Sequence, residues 1–209
     1  MNRVRITISI SPELAQAVDE RVDGLHIRNR SHAIESLISD SLHLSAVKTA
    51  VVLAGGSDAL KRVPAIKQAI ASLYQFGVTK IIVAVGYLGP KIQTALADME
   101  REQPSLSYHQ SNNGTGGALY ELRKELTRPF FVVNVHETLN VDLSSLIRFH
   151  REHGPLATIA TKHLRDLDGI YILEPEVLTH IPKGFSSLED EVFVALSKAG
   201  KLLSYPVTS

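Results

Sequence analysis

The sequence lacks several residue types that define whole classes of protein. It has no cysteine and no tryptophan among 209 residues, and only 6% of its residues are aromatic. Without cysteine, disulfide scaffolds and cysteine-bound zinc or iron–sulfur sites are excluded, whereas nine histidines leave histidine–carboxylate metal sites open. No apolar run reaches the roughly 20 residues of a membrane span, and polar residues interrupt the opening MNRVRITISISPEL, unlike a secretory signal. We therefore expect a cytoplasmic protein without a membrane partner.

The chain also lacks an excess of charge of either sign. Lysine and arginine total 22, as do aspartate and glutamate, and 44% of the residues are hydrophobic. This apolar content is sufficient for a folded core. Nucleic-acid binding usually requires a basic surface, so contact with DNA would have to come from a few well-placed arginines.

Residues 1–45 show the pattern of a strand followed by two helices. Residues 3–10 alternate between an apolar and a polar face, as in a strand with one buried side. The apolar face consists of Val4, Ile6, Ile8 and Ile10, and the polar face of Arg3, Arg5, Thr7 and Ser9. Ser11-Pro12 is typical of a helix start, and a second helix is predicted to begin near Asn29.

A lone strand leaves both of its edges unpaired, which favours pairing with the same strand of a second copy. Such a two-stranded ribbon fits the major groove of DNA. On this hypothesis the DNA-binding residues of the ribbon are Arg3, Arg5, Thr7 and Ser9. The start of the second helix would meet a phosphate through Asn29, Arg30 and Ser31.

The segments MNRVRITISISPELAQAVDERVDG and NRSHAIESLISDSL resemble an Arc/MetJ-type ribbon-helix-helix repressor domain. This resemblance implies an obligate homodimer that binds double-stranded DNA at a palindromic operator. Whether dimers pair into tetramers stays open. The alternative is that this unit only dimerises a larger protein.

Residues 48–209 alternate buried strands with helices, which predicts an α/β domain with a mainly parallel sheet and flanking helices. Gly55-Gly56, the turn at 112–117 and Asn134–His136 follow predicted strands. Ligands of such sheets bind at the carboxyl ends of the strands, so a ligand site is expected there.

Six segments of this region resemble the sugar-phosphate nucleotidyltransferases, which make nucleotide-sugars from nucleoside triphosphates. They are AVVLAGG, GVTKIIVAVGYLGPKI, NGTGGAL, FFVVNVHETLNVDL, FHREHGPLATIAT and GIYILEPEVLTHIP. The resemblance implies a Rossmann-like fold. It also implies ligand-binding residues, which are Ala54, Gly55, Gly56, Asn113, Gly114, Thr115 and His136.

The same comparison shows departures at the positions of the family's chemistry. The loop after Gly56 is short and lacks the arginine and Pro-Lys that hold the triphosphate, and His136 stands where the family has a metal-binding aspartate. The hairpin that carries a sugar-binding glutamate is reduced to 163–169, and the chain ends at Ser209, before the segment with a second metal-binding aspartate. These departures predict no catalytic residues, no metal site and a catalytically degenerate domain.

Together, the two halves predict a DNA-binding transcriptional regulator, in the simplest case a repressor. Residues 1–45 would be the ribbon-helix-helix domain. Residues 48–209 would be an inactive nucleotidyltransferase-like domain that senses a nucleotide or nucleotide-sugar effector or assembles oligomers. Two alternatives stay open: an active sugar-phosphate nucleotidyltransferase with a divergent site, and an antitoxin-type interaction protein.

Overall fold

The computed structural model describes residues 6–22, 27, 29–41, 47–102, 106–134, 141–161 and 169–207. The chain divides into two units, Met1–Leu44 and Ser45–Ser209. Across the described residues, every helix is too short or too polar to serve as a membrane span.

The first unit contains the two helices that the sequence predicts, α1 (Pro12–Asp19) and α2 (Arg30–Ser41). Ser11 Oγ accepts a hydrogen bond from Leu14 N at 3.3 Å and so caps α1. Asn29 Oδ1 accepts from His32 N at 2.9 Å at the start of α2. A small core holds the helices together, and its buried members are Val18, Ile27 and Ala33.

The N-terminal strand is not shown. Residues 6–10 have no regular secondary structure, and residues 1–5 lie outside the described residues. Ile6, Ile8 and Ile10 are exposed to 76%, 52% and 40%. The ribbon and its pairing with a second copy therefore stay predictions.

The second unit is built on one seven-stranded sheet in the order β3-β2-β1-β4-β6-β5-β7. Its strands are Thr49–Ala54 (β1), Lys80–Val85 (β2), Leu106–Gln110 (β3), Phe130–Asn134 (β4), Ala157–Thr161 (β5), Gly169–Leu173 (β6) and Leu202–Pro206 (β7). All neighbouring strands are parallel except at β6, which runs antiparallel to both β4 and β5. The predicted α/β class with a mainly parallel sheet is confirmed.

Helices cover both faces of this sheet. They are α3 (Val63–Phe76), α4 (Gly89–Glu102), α5 (Gly114–Glu121), α6 (Leu143–His153) and α7 (Val194–Lys198), with a π-helical turn at Leu188–Phe193 just before α7. Each buried strand contributes alternate residues to two cores. Val52 packs with α3, α4 and α6, and Val51 packs with α5 and the 188–196 segment. This double burial explains why the strands read as continuous apolar runs.

His150 is one of the few buried polar residues among the described residues. It lies on α6, is 3% exposed and shares hydrogen bonds with Thr158 Oγ1 at 2.8 Å and Glu174 Oε1 at 3.2 Å. Burial lowers the pKa of His150 below its ordinary 6.5, and the hydrogen bond with Glu174 offsets only part of that effect. The folded state therefore disfavours protonation of the imidazole.

This burial predicts a loss of stability in acid. In the unfolded chain the imidazole takes up a proton near its ordinary pKa of 6.5, whereas the folded state resists that proton. The unfolded state thus binds more protons below this pH, and the free energy of unfolding falls as the pH drops. The free energy of unfolding in urea, measured at pH values around and below 6.5, should depend less on pH in His150→Gln than in the wild type. His153→Gln, on the exposed side of the same helix, is the control and should keep the wild-type profile. An unchanged profile in His150→Gln would contradict this account.

Candidate functional site

A cleft of about 360 Å³ opens at the carboxyl ends of β1 and β2. Its walls come from the turns after these two strands, the start of α5, and the segment before the π-helical turn. The lining residues used below are Gly55, Gly56, Arg62, Gly86, Tyr87, Asn112, Gly114, Thr115, Asn134 and Phe185. This is the edge of the sheet at which the sequence predicts a ligand site.

Three glycines keep one side of the cleft free of side chains. Gly56 has a φ of +93°, which lets the chain turn sharply after β1. A Cβ at Gly86 would lie 3.7 Å from Gly55 Cα, so the turns after β1 and β2 pass close to each other. A ligand can therefore approach the backbone directly at this wall.

Arg62 supplies a buried cation beneath the turn after β1. The residue is 6% exposed. Its guanidinium donates to the carbonyl of Gly55, to Leu53 O at 3.4 Å and to Asn134 Oδ1 at 3.4 Å. Asp58 Oδ2 lies 3.5 Å from its Nε. One side chain thus ties the ends of β1 and β4 together and leaves a positive charge at the cleft, partly balanced by Asp58.

Glu189 forms the second polar group of the site. Its Oε1 accepts from Asn134 Nδ2 at 3.0 Å and its Oε2 from Thr115 Oγ1 at 2.6 Å. Thr115 Oγ1 in turn accepts from Leu188 N at 2.8 Å. A continuous chain of hydrogen bonds therefore runs from Arg62 through Asn134 and Glu189 to Thr115.

The start of α5 is packed against the segment that precedes the π-helical turn. Gly116 N donates to Ser186 O at 3.0 Å, and Ser186 N donates to Asn113 O at 3.0 Å. The Ser186 carbonyl therefore accepts from an amide in the first turn of α5, where helix amides have no partner within the helix.

The structure brings four of the seven predicted ligand-binding residues to the cleft. Gly55, Gly56, Gly114 and Thr115 line the cleft. Ala54 is 1% exposed within β1.

The Asn113 amide donates to Glu121 Oε1, and the cleft is lined by its neighbour Asn112 instead. Burial raises the pKa of Glu121, but hydrogen bonds from His109 and Asn113 outweigh it and lower the pKa. His136 lies outside the described residues.

The structure describes five of the seven predicted DNA-binding residues. Arg30 is ion-paired with Asp19, and the Asn29 side chain caps α2. Ser31, Thr7 and Ser9 are exposed, while Arg3 and Arg5 lie outside the described residues.

The donor set of the described part of the site does not fit a resident divalent cation. No group of three metal-ligating side chains occurs among the described residues. Both oxygens of Glu189 already accept hydrogen bonds, and Asn134 Oδ1 faces the Arg62 guanidinium. Hard cations such as Mg²⁺ need several oxygens at close range, so no reaction step is assigned to a protein-held metal.

No family model matches the chain. Curated relatives do match. Mannose-1-phosphate guanyltransferase beta-A of Xenopus laevis is 26% identical over an alignment of 176 residues, and the match covers 66% of this chain and 49% of that protein. Mannose-1-phosphate guanyltransferase of Aspergillus oryzae is 29% identical over an alignment of 180 residues, and the match covers 68% of this chain and 50% of that protein. The chain spans about half the length of these relatives.

Solved structures show the same fold. HddC from Yersinia pseudotuberculosis, in a complex with GMP-PN, has a TM-score of 0.60 at 17% identity and covers 77% of this chain and 91% of that one. The mannosyltransferase PcManGT from Pyrobaculum calidifontis, in complex with GDP-Man and Mn²⁺, has a TM-score of 0.57 at 12% identity and covers 92% of this chain and 66% of that one. The chain therefore contains a sugar-phosphate nucleotidyltransferase-like domain.

The hypothesis of a DNA-binding regulator is wrong. The relatives are named mannose-1-phosphate guanyltransferases, and one structural neighbour is named a mannosyltransferase. The two helices were over-interpreted, because a helix pair fits many functions and Arg30 is engaged by Asp19 rather than presented to a phosphate.

The hypothesis of an inactive domain is also wrong, since the relatives are named as enzymes. The missing motif residues do not show an inactive site, because the fold brings Arg62, Asn134 and Glu189 to the site from other positions. One of the expected departures concerned a segment beyond Ser209, and this chain spans only about half the length of its relatives.

Four site residues escaped the sequence analysis. They are Arg62, Glu189, Tyr87 and Phe185. Two of them had a signal in the sequence: Arg62 is a basic residue close to a glycine turn and just before α3, and Tyr87 lies in one of the segments that resemble the nucleotidyltransferases.

The hydrogen bonds of Arg62 predict a structural as well as an electrostatic role. In Arg62→Met the carbonyls of Leu53 and Gly55 lose a buried donor, which should lower the free energy of unfolding by about 1–3 kcal/mol. Urea unfolding followed by tyrosine fluorescence measures this directly, because all six tyrosines lie in residues 45–209. Lys61→Met, at an exposed neighbouring position, should unfold like the wild type. Equal stability of the two variants would refute the role given to Arg62.

Proposed function

We propose that the protein is a sugar-phosphate nucleotidyltransferase with a divergent site, which joins a sugar 1-phosphate to the nucleotide of a nucleoside triphosphate. The observation that carries the proposal is the cleft itself: a glycine turn after β1, a buried arginine beneath it and the start of α5 opposite. The similarity to mannose-1-phosphate guanyltransferases over two thirds of the chain supports it.

The proposed reaction is a substitution at the α-phosphorus of the triphosphate. A phosphate oxygen of the sugar 1-phosphate forms a bond to this phosphorus. The bond from the phosphorus to the oxygen that bridges to the β-phosphate breaks, and pyrophosphate leaves with that oxygen. The products are a nucleoside diphosphate-sugar and pyrophosphate.

Charge is the main demand of this reaction, because the triphosphate and the sugar phosphate are both anions. Arg62 meets part of this demand from below the turn after β1, where it is 6% exposed and so only weakly screened by water. A fixed cation at the site of developing charge lowers the barrier, since no reorganisation is needed during the reaction. Any divalent cation enters this proposal as part of the triphosphate substrate.

Glu189 has the role of a positioning residue in this proposal. A lone carboxylate would repel a triphosphate. Hydrogen bonds that Thr115 and Asn134 donate to Glu189 offset part of its negative charge. By holding Asn134, the carboxylate also keeps the Oδ1 of that residue turned towards Arg62. The polar chain thus fixes the position of the cation relative to the cleft.

The proposal predicts pyrophosphate release from a nucleoside triphosphate only when a sugar 1-phosphate is also present. Mannose 1-phosphate and glucose 1-phosphate with each of the four common triphosphates and Mg²⁺ form the test set. Gly55→Ala should lower the rate by about tenfold or more, because its methyl group occupies space at the cleft wall that a ligand needs. The fold should tolerate this change, since the new Cβ meets its nearest neighbour, Gly86 N, at 3.9 Å.

Gly154→Ala makes the same chemical change outside the cleft lining, at the end of α6, where a Cβ meets nothing within 4 Å. Because Gly154 has a φ of +59°, alanine strains the backbone there, and the urea midpoint of each variant is measured alongside its rate. Gly154→Ala should retain the wild-type rate. Absence of pyrophosphate release with every pair of substrates would overturn the proposed activity. A Gly55→Ala rate equal to that of Gly154→Ala would move the activity away from this cleft.

A further inference from the structure

Two exposed aromatic side chains stand at the cleft. Tyr87 is 63% exposed and Phe185 is 74% exposed. They are the only aromatic residues among the large apolar side chains that are exposed in the described part of the chain, and both line this one cleft. Single exposed aliphatic residues are ordinary in proteins. Two exposed aromatic rings at the same opening instead indicate a binding surface.

The two rings are supplied by different parts of the fold. Tyr87 follows Gly86 at the end of β2, beside the glycine turn after β1. Phe185 precedes Ser186, whose backbone is hydrogen-bonded to the start of α5. The Cε2 of Phe185 would lie 3.4 Å from a Cβ at Gly114, so the ring covers this glycine. The backbone at each ring is therefore held by the domain core rather than by a free loop tip.

The space that these rings border has few side chains. Gly55, Gly56, Gly86 and Gly114 all line the cleft. Glycines give a flat ligand access to the backbone, whereas side chains at these positions would fill the space. A flat aromatic ligand matches such a surface better than a bulky branched one does, because stacking uses the whole ring face.

We infer that Tyr87 and Phe185 hold the nucleobase of the substrate nucleotide by stacking. The inference rests on the proposed function and adds where the base lies. Arg62, beneath the turn after β1, is the buried cation at the cleft and so marks the phosphate end. Stacking on the rings needs no charge and no base-specific hydrogen bond, so every common base can be held in this way. The phosphates and the base are thus recognised by different residues.

The direct test is the affinity of the whole protein for GTP, ATP, CTP and UTP, measured by titration calorimetry. Removing one ring, in Tyr87→Ala or Phe185→Ala, should weaken binding of the triphosphates by about 5- to 100-fold, the range found for loss of base–aromatic stacking. Tyr87→Phe and Phe185→Tyr keep a ring and should keep the wild-type affinity. Both positions are exposed, so the variants should fold, and their urea midpoints check this.

Inorganic tripolyphosphate is the probe that separates the base from the phosphates. It has no base, so its affinity should be unchanged in the two alanine variants and reduced in Arg62→Met. Val194→Ala removes an exposed apolar side chain that does not line the cleft and should leave every affinity unchanged.

Each outcome decides between distinct conclusions. If the wild type binds triphosphates and both alanine variants bind them equally well, the stacking inference is overturned while the proposed function stands. The same holds if the alanine variants lose tripolyphosphate to the same extent as GTP, because the rings would then shape the whole cleft or serve a protein partner. If the wild type binds no nucleoside triphosphate, the proposed function itself fails.

Discussion

The buried guanidinium of Arg62 is the interaction on which the cleft depends. Backbone carbonyls at the end of β1 and the amide of Asn134 at the end of β4 all accept hydrogen bonds from it. A buried cation is costly unless it is paired and hydrogen-bonded. These acceptors and the Asp58 carboxylate, 3.5 Å from Nε, offset that cost, although Nε itself has no hydrogen-bond partner among the described residues. The same charge that holds the two strand ends together is the charge that an anionic ligand meets.

The hydrogen bonds extend from this arginine to parts of the chain that are far apart in sequence. Asn134 leads to Glu189, and Glu189 leads to Thr115 at the start of α5. Ser186 then fastens the segment with Phe185 to the first turn of α5. These hydrogen bonds therefore fix the position of Arg62 relative to that of Phe185. They lie at the edge of the sheet where the parallel strands end.

The apolar strand patterns were sufficient to predict the α/β fold, because strands such as Thr49–Ala54 are buried on both faces and read as continuous apolar runs. Three glycines of the cleft were predictable for a similar reason, since Gly55 and Gly56 follow β1 directly and Gly114 lies in the turn after β3. Glu189 was not predictable, because it meets Thr115 across 74 positions of sequence. The hypothesis of a DNA-binding regulator rested on a short-range sequence pattern. Residues 1–45 contain the two helices that this pattern predicts, but Arg30 at the start of α2 forms an ion pair with Asp19. Helix patterns report burial and capping, and they carry no information on what a surface binds.

The central claim is that one cleft, at the carboxyl ends of β1 and β2, binds a nucleoside triphosphate. A crystal structure of the protein with a non-hydrolysable triphosphate analogue tests this claim most directly. The account predicts the phosphates beside the turn of Gly55 and Gly56, above Arg62, with the base between Tyr87 and Phe185. An analogue bound elsewhere on the protein, or bound in the cleft with its phosphates far from that turn, would contradict the account.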